Sequence, residues 1–453
     1  MLDLQLVNAP LTIGYRESSR TGTYPPLNLA SIAGFLRTEN QETTVEIIDG
    51  ELHSCEEICD QVTAPVVGIS SNIMTYPSAL RIAEAAHARG SKVVFGGPYP
   101  TSRARLILAE RPFVDAVVTG DGEIAMRDYL RGLPDNAIPN LSYRRGGAIF
   151  SNVSHVLDLN TLPFPDYVNL PIDRYFDRYE DRYSNFTAIR RSLAVYSRKG
   201  CVWRDASDGG CVFCMIPHKG LNYKTPARMW EEIEHSSRQY CVNHFWEVCD
   251  TFTENSRWLD DFLRERPAGL DVTFTVYGRA SNISRRMAKT LDDLGVVEVF
   301  IGAESGDDDI LARMNKGIRV DQTRRAVQHL AELGIRVVVS FVYGLPGETS
   351  KTLEATFALA EELLGFGNVI ETSASILLPI PGSKAFDMLM REAGMAAKHD
   401  TDVLDLEDLK RDWIARFTNT TPRELETVLH RTLEAFPLNN TFMEASALAA
   451  PMC

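Results

Sequence analysis

Three cysteines, Cys201, Cys211 and Cys214, lie in the segment YSRKGCVWRDASDGGCVFCMIPHKG at 196–220. A Cys-x2-Cys pair suits zinc, an iron–sulfur centre or a thioredoxin-like redox site. A third cysteine, separated from the pair by nine residues on its upstream side, with no fourth cysteine or histidine at zinc spacing downstream, shifts the balance. Three thiolates on a [4Fe–4S] cluster leave one iron open to a substrate or cosubstrate, whereas four make an electron-transfer centre. The spacing alone keeps a Cys3His zinc staple open, with His218 as the nearest alternative ligand. The other five of the eight cysteines carry no such pattern. Cys55 and Cys59 sit on a predicted helix with no third ligand, Cys241 and Cys249 straddle a predicted strand as small buried apolar residues, and Cys453 is terminal. The N-terminus has no basic n-region or long apolar run, so a cytoplasmic, reducing location without disulfides is expected.

The chain has 453 residues, which predicts two or three domains. It carries 47 Lys and Arg against 61 Asp and Glu, a formal charge of −14, with no basic run. Nucleic acid and an anionic membrane surface are therefore poor partners. Nowhere do 18 uninterrupted apolar residues occur, which argues against a membrane span.

Elements must place the cysteines. Apolar runs at 2–8, 44–49, 65–71, 92–97 and 115–120 alternate with helical patterns, predicting a doubly wound, flavodoxin-like α/β domain over 1–140. Its ligands belong at the strand carboxyl ends, where the chain has SSN, GGP and TGDGE. NLSYRRGGAIFSN (140–152) predicts a hairpin turning at Gly146–Gly147. The stretch 141–187, with three prolines and no clean period, is read as a linker. A second βα series, with strands at 193–198, 244–250, 272–279, 297–304, 335–344 and 369–379, predicts a partial (β/α)6 barrel over 188–390. The helices between them mostly end in glycine, as C-caps do. Residues 391–453 are expected to be a small helical C-terminal region. The cysteines follow the first strand of the second series, at the end where barrel chemistry sits.

The second half resembles the radical S-adenosylmethionine superfamily over about 200 residues. RKGC and CVFC resemble its cluster loop, WEVCDTFTEN (246–255) its second-strand motif, and YGRAS (277–281) its ribose- and carboxylate-contacting strand. IGAESGD (301–307) with LARMNKG (311–317) resembles the glycine-and-acid strand, and SFVYGLPGET (340–349) and LPIPGS (378–383) the last strands. The resemblance implies a [4Fe–4S] cluster on Cys201, Cys211 and Cys214, with S-adenosylmethionine chelating the fourth iron and yielding a 5′-deoxyadenosyl radical on reduction. It implies Phe213 against the adenine, Asp250 near the cosubstrate amine, Arg279 on its carboxylate, and Glu304 and Ser305 supporting the adenosyl group. The family spacing is C-x3-C-x2-C, whereas this chain has C-x9-C-x2-C. The turn-rich insert is expected to bulge without moving the thiolates.

The first half resembles the cobalamin-binding domain that precedes the barrel in part of that superfamily. YPPLNLASIAGFL (24–36), IIDG (47–50), VGISSN (67–72), FGGPYPT (95–101) and VTGDGE (118–123) carry the likeness. Gly96 and Gly97 would admit the corrin tail, and Ser70, Ser71, Thr119 and Gly120 would contact it. No Asp-x-His-x-x-Gly sequence occurs, so no histidine ligand to cobalt is expected. The lower face would be water, empty or shielded by a side chain near 9–26 or 72–76. The implied function is a cobalamin-dependent radical methyltransferase acting on an unactivated carbon of a small-molecule intermediate through methylcobalamin. An external flavodoxin or ferredoxin would supply electrons, and no substrate-specific catalytic residue is identified. The alternatives are a radical rearrangement, cyclisation or oxidation without methyl transfer, and a zinc-stapled interaction protein.

Overall fold

The computed structural model describes residues 2–12, 22–167, 169–183, 189, 191–205, 209–216 and 220–436. The chain forms two compact units, 1–182 with 397–404, and 183–396 with 405–453. Among the described residues no helix is long and apolar enough to cross a membrane.

In the first unit the five predicted strands form: β1 (Leu4–Asn8), β2 (Val45–Asp49), β3 (Val66–Ser70), β4 (Lys92–Gly96) and β5 (Ala116–Val118). Their apolar runs suit strands covered on both faces, and they pair in parallel in the order β2-β1-β3-β4-β5. That is the flavodoxin-like order. The predicted hairpin, β6 (Leu141–Arg145) and β7 (Ala148–Ser151), turns at Gly146–Gly147 and extends this sheet antiparallel to β5. Val67, Ile69, Val93, Phe95 and Val117 form the core with Ala79, Ile82 and Ile107 from the helices.

Two boundaries differ from expectation. The stretch 141–187 is not a linker, because its hairpin joins the first sheet and 172–183 is a helix. Tyr175, Tyr179 and Tyr183 stand at i, i+4 and i+8 and are buried, a helical stripe hidden by the charged residues between them. The Tyr175 hydroxyl donates to Asp49 at 2.6 Å, and burial raises the Asp49 carboxyl above the usual carboxylate range. Nor is 391–453 one C-terminal region, since 397–404 belongs to the first unit. There Tyr76 and Arg111 donate to Asp402 at 2.9 and 2.6 Å, and Arg103 donates to the carbonyls of His399 and Thr401.

The second unit contains all six predicted strands. These are β8 (Ser192–Val195), a short antiparallel pair β9 (Arg198–Lys199) and β10 (Asn222–Tyr223), then β11 (His244–Glu247), β12 (Thr273–Gly278), β13 (Val296–Glu304), β14 (Arg336–Tyr343) and β15 (Val369–Ile376). The long strands pair in parallel in the order β15-β14-β13-β12-β11-β8, an open, curled half-barrel. One face of this sheet is tiered. Lowest is a hydrogen-bonded row: Ser192 Oγ to His244 Nδ1 (2.7 Å), His244 Nε2 to Thr275 Oγ1 (3.2 Å) and Thr275 Oγ1 to Glu298 (3.3 Å). Arg336 closes it on Glu298 at 3.5 Å. Above it stack Trp246, Tyr277 and Phe300, with ring centroids 5.1–6.1 Å apart. Interior layers of this kind are how barrels fill their core. The helices Leu406–Phe417 and Pro422–Ala435 back the end of β14, through Trp413 Nε1–H to the Gly344 carbonyl (2.8 Å) and Tyr343 Oη to Thr432 Oγ1 (2.5 Å).

Just beyond β14, Glu348 is fully buried and accepts the N–H groups of Gly344 and Leu345 at 2.5 and 3.1 Å. Burial pushes its carboxyl up to about 8. Its proton is thus held more tightly in the folded chain than in the unfolded one, so its contribution to stability is complete below the ordinary glutamate pKa and is lost as pH rises towards 8. The unfolding midpoint of the wild type should fall between pH 5 and about 8 by more than that of Glu348→Gln, whose side chain cannot ionise. Parallel midpoints for the two proteins across that range would refute the assignment.

Candidate active site

The cysteine segment leaves β8 through a buried carboxylate. Glu247, at the end of β11, accepts the Ser197 N–H at 2.5 Å and the Cys249 N–H at 3.4 Å, and burial raises its pKa. Asp250 lies further along and accepts the Gly200 N–H at 2.9 Å, holding the residue before Cys201. The pairing of β9 with β10 closes the base of the segment. Cys211 and Cys214 occupy one turn, with the Cys214 N–H donating to the Cys211 carbonyl at 3.1 Å. All three cysteines are free and half-buried. Burial raises both thiols of the pair, that of Cys214 to about 11, with the neighbouring cysteines adding to the effect. The charges facing Cys211 are Lys316, Glu304 and Arg279.

These side chains meet at the end of β13. There the register with β14 slips between Gly302 and Glu304, and Glu304 takes φ +61°, a rare conformation for a non-glycine residue. The slip turns the carboxylate back over Gly302, where a Cβ would strike both Glu304 Oε1 and Lys316 Nζ. Glu304 Oε1 pairs with Lys316 at 2.5 Å, and Oε2 accepts the Ser340 hydroxyl at 3.1 Å. The pair is nearly buried, which supplies the partner that an acid in this strand requires. Burial alone would lower the Lys316 ammonium, but Glu304 and Cys211 outweigh it and the pKa is raised. Lys316 Nζ also lies 5.9 Å from the centre of the Phe213 ring. Arg279 donates to the Lys316 carbonyl, and its Nε–H donates to Ser281 Oγ at 3.2 Å.

The structure therefore gathers Cys211, Phe213, Arg279 and Glu304 around Lys316, with Cys201, Cys214 and Asp250 beside them. Ser305 is turned elsewhere. It is fully buried, its hydroxyl lies 3.2 Å from Thr356 Oγ1 and accepts the Asp307 N–H, so it braces the turn after β13. Cys249 is buried as expected, but Cys241 is exposed, at φ +54° where the helix Pro226–Tyr240 ends. Sequence reading missed Lys316, although it lies in the quoted LARMNKG. A lysine twelve residues after a glutamate inside an apolar strand was the available signal.

Among the described residues no three His, Cys, Asp or Glu side chains converge as a single-ion site would need. His218, the alternative zinc ligand, lies outside the described residues, as does Cys453. A cubane spreads three thiolates over three irons instead, and three free, half-buried cysteines, with Cys211 facing Lys316 and Arg279, fit it.

In the first unit the predicted cobalamin residues sit together at the ends of β3, β4 and β5. Gly97 takes φ +92°, and a Cβ there would come within 2.6 Å of the Ser71 carbonyl. Gly96 and Gly120 face open space. The Ser71 hydroxyl is buried with no hydrogen-bond partner, a vacancy a polar tail would fill. Ser70 Oγ accepts from Asn28 at 3.1 Å, and Thr119 Oγ1 donates to the Asn140 carbonyl at 3.1 Å. These residues fit the group. Of the lower-face loops, 13–21 lies outside the described residues.

The radical SAM superfamily profile matches residues 197–360 and the B12 binding domain profile residues 18–130, together more than half of the chain. The chain belongs to the radical SAM superfamily and carries a B12-binding domain. It is thus a cobalamin-dependent radical SAM enzyme, whose cofactors are a [4Fe–4S] cluster, S-adenosylmethionine and cobalamin. It is 28% identical over 382 residues to an uncharacterised methyltransferase of Pyrococcus horikoshii, covering 81% of this chain and 78% of that one. It is 24% identical to the anaerobic magnesium-protoporphyrin IX monomethyl ester cyclase of Rubrivivax gelatinosus, over 75% of this chain and 62% of the cyclase. The cobalamin-dependent S-adenosylmethionine radical enzyme OxsB shares the fold, with a TM-score of 0.65 at 16% identity, over 99% of this chain and 61% of that one.

Lys316→Met should leave the Glu304 carboxylate buried without its partner, a loss of about 3–5 kcal/mol. Lys316→Met with Glu304→Gln should recover part of that loss by removing both charges. Anaerobic denaturant titrations of the two variants and the wild type measure both effects. A double variant less stable than Lys316→Met would show that the pairing is not the source of the loss.

Proposed function

We propose that this enzyme transfers a methyl group to an unactivated carbon of a small-molecule biosynthetic intermediate. The observation that carries the reading is the meeting of the cysteine turn with Arg279, Glu304 and Lys316 at the strand ends, in a chain whose other unit carries the Ser71–Gly97 cradle. When bound, the cluster, S-adenosylmethionine and cobalamin supply one-electron cleavage of a sulfonium and a transferable methyl group. Cys201, Cys211 and Cys214 would hold the iron, and Phe213 would pack against the adenine. Arg279 offers guanidinium N–H groups to the cosubstrate carboxylate, a pairing that suits its planar fork. Asp250 keeps the Gly200 backbone in place and would lie near the cosubstrate amine. Glu304, fixed by Lys316 and Ser340, supports the adenosyl group, and Ser305 stiffens the turn behind it. The aromatic tier of Trp246, Tyr277 and Phe300 keeps water from the face below. Ser70, Ser71, Gly96, Gly97, Thr119 and Gly120 hold the cobalamin tail, and a flavodoxin or ferredoxin supplies the electron.

A second reading, oxidation or cyclisation without methyl transfer, draws support from the similarity to the cyclase. The two differ in the product, since replacing hydrogen by methyl adds one CH2 and the alternative adds none.

Anaerobically reconstituted protein should contain about four irons and one corrin per chain, and the triple variant Cys201→Ala, Cys211→Ala, Cys214→Ala should contain no cluster and cleave no S-adenosylmethionine. With S-adenosylmethionine labelled in its methyl group, label should appear in the product of the wild type. Cosubstrate consumption by turnover without labelled product would overturn methyl transfer and leave the second reading.

A further inference from the structure

The described residues between Cys201 and Cys211 do not form a loose bulge. Val202–Asp205 makes a single helical turn, and Trp203 on it is held on three sides. The indole N–H donates to the Asn315 carbonyl at 2.7 Å. The Arg279 guanidinium lies over the indole, 4.7 Å from its centroid. Gly317 abuts the indole edge, where a Cβ would overlap Cζ2 and Cη2. The far end of the insert is fastened to the same turn. Asn315 Nδ2 donates to the Gly210 carbonyl at 2.9 Å, and the Val212 N–H donates to the Met314 carbonyl at 2.9 Å. Asn315 does this at φ +54°, a conformation asparagine adopts more readily than most residues.

Arg279 is the junction of this arrangement. Its Nε–H is engaged by Ser281 and its Nη2 by the Lys316 carbonyl, which leaves Nη1 for a ligand. Those bonds fix one edge of a planar group, and the indole face fixes the tilt of the plane. A carboxylate recognised by a guanidinium depends on that plane, because paired N–H groups must point at its oxygens.

We propose that Trp203 is a positioning residue, which sets the plane in which Arg279 meets the S-adenosylmethionine carboxylate and locks that plane to the cysteine loop. This rests on the proposed assignment of Arg279 and the cluster cysteines. The longer spacing between Cys201 and Cys211 then brings an aromatic platform to the cosubstrate site. Trp203 governs cosubstrate binding and not the loading of iron.

The test compares the wild type, Trp203→Phe and Trp203→Leu, each reconstituted anaerobically. Three quantities are measured: iron content, the Kd of S-adenosylmethionine by equilibrium dialysis, and the change its addition makes in the EPR spectrum of the reduced cluster. All three proteins should hold equal iron. Trp203→Leu should bind S-adenosylmethionine about five- to thirtyfold more weakly, the size of a partly desolvated cation–π contact. It should show little EPR change at a concentration that saturates the wild type. Trp203→Phe, which keeps an aromatic face and loses the indole N–H, should stay closer to the wild type than Trp203→Leu does. Unchanged binding and an unchanged EPR response in Trp203→Leu would overturn the proposal. So would loss of iron from Trp203→Leu, which would make Trp203 a scaffold of the cysteine loop. A wild type that loads no iron, or gives no response to S-adenosylmethionine, would instead sink the reading of the site and this inference with it.

Discussion

The geometry of the second unit's site hangs on one buried ion pair, Glu304 with Lys316. Removing two charges from water is costly, and the pair survives because each member is further bonded: the carboxylate by Ser340, the backbone at Lys316 by Arg279. To reach Lys316 the carboxylate must fold back across its own strand, which requires glycine at 302, the register slip, and a left-handed Glu304. A conformation of that kind costs about 1–3 kcal/mol and persists only where its surroundings over-determine it. Once Lys316 is fixed, so is the turn 314–317, and with it the Val212 N–H and the Gly210 carbonyl that flank Cys211. The cysteine turn is thus set from residues more than a hundred positions away.

The tiers beneath explain why charge gathers only at the top. The row from Ser192 to Arg336 uses its polar atoms on one another, and with His244 as the Nε2–H tautomer the hydroxyl of Ser192, the imidazole and the hydroxyl of Thr275 all donate in one direction towards Glu298. The aromatic tier separates that row from the mouth. There Glu304 and Lys316, both nearly buried, attract one another more strongly than they would in water. Among the charged groups facing the Cys211 thiol, Lys316 and Arg279 are the cations and Glu304 the anion.

The strands were legible because buried parallel strands are continuous β-branched runs closed by Gly, Asn or Ser, a local signal. The cysteines, Asp250, Arg279 and Glu304 were legible as ordered motifs. The helix at 172–183 was not, because its buried tyrosines are amphipathic residues set among arginines and aspartates, which a hydrophobicity reading scores as polar. What the insert does was illegible for another reason. Trp203 finds Asn315 across 112 positions, and nothing in the insert's composition distinguishes a clamped loop from a free one. Lys316 fell between these cases, visible as a lysine in a quoted stretch but given meaning only by the fold-back of Glu304.

Both units solve the same problem at their strand ends, by opposite means. At β4 the chain turns through Gly97, whose left-handed backbone lets Ser71 approach so closely that a side chain has no room, and the Ser71 hydroxyl is left buried and unpaired. An unmet buried donor costs about 1–3 kcal/mol, a cost that a bound polar group removes. At β13 the chain keeps a side chain in the left-handed conformation and meets its charge internally, so the strain is met by a lysine of the same chain. The first arrangement leaves a polar atom whose cost only an added partner can remove, whereas the second is complete within the chain, its carboxylate met by Lys316 and Ser340.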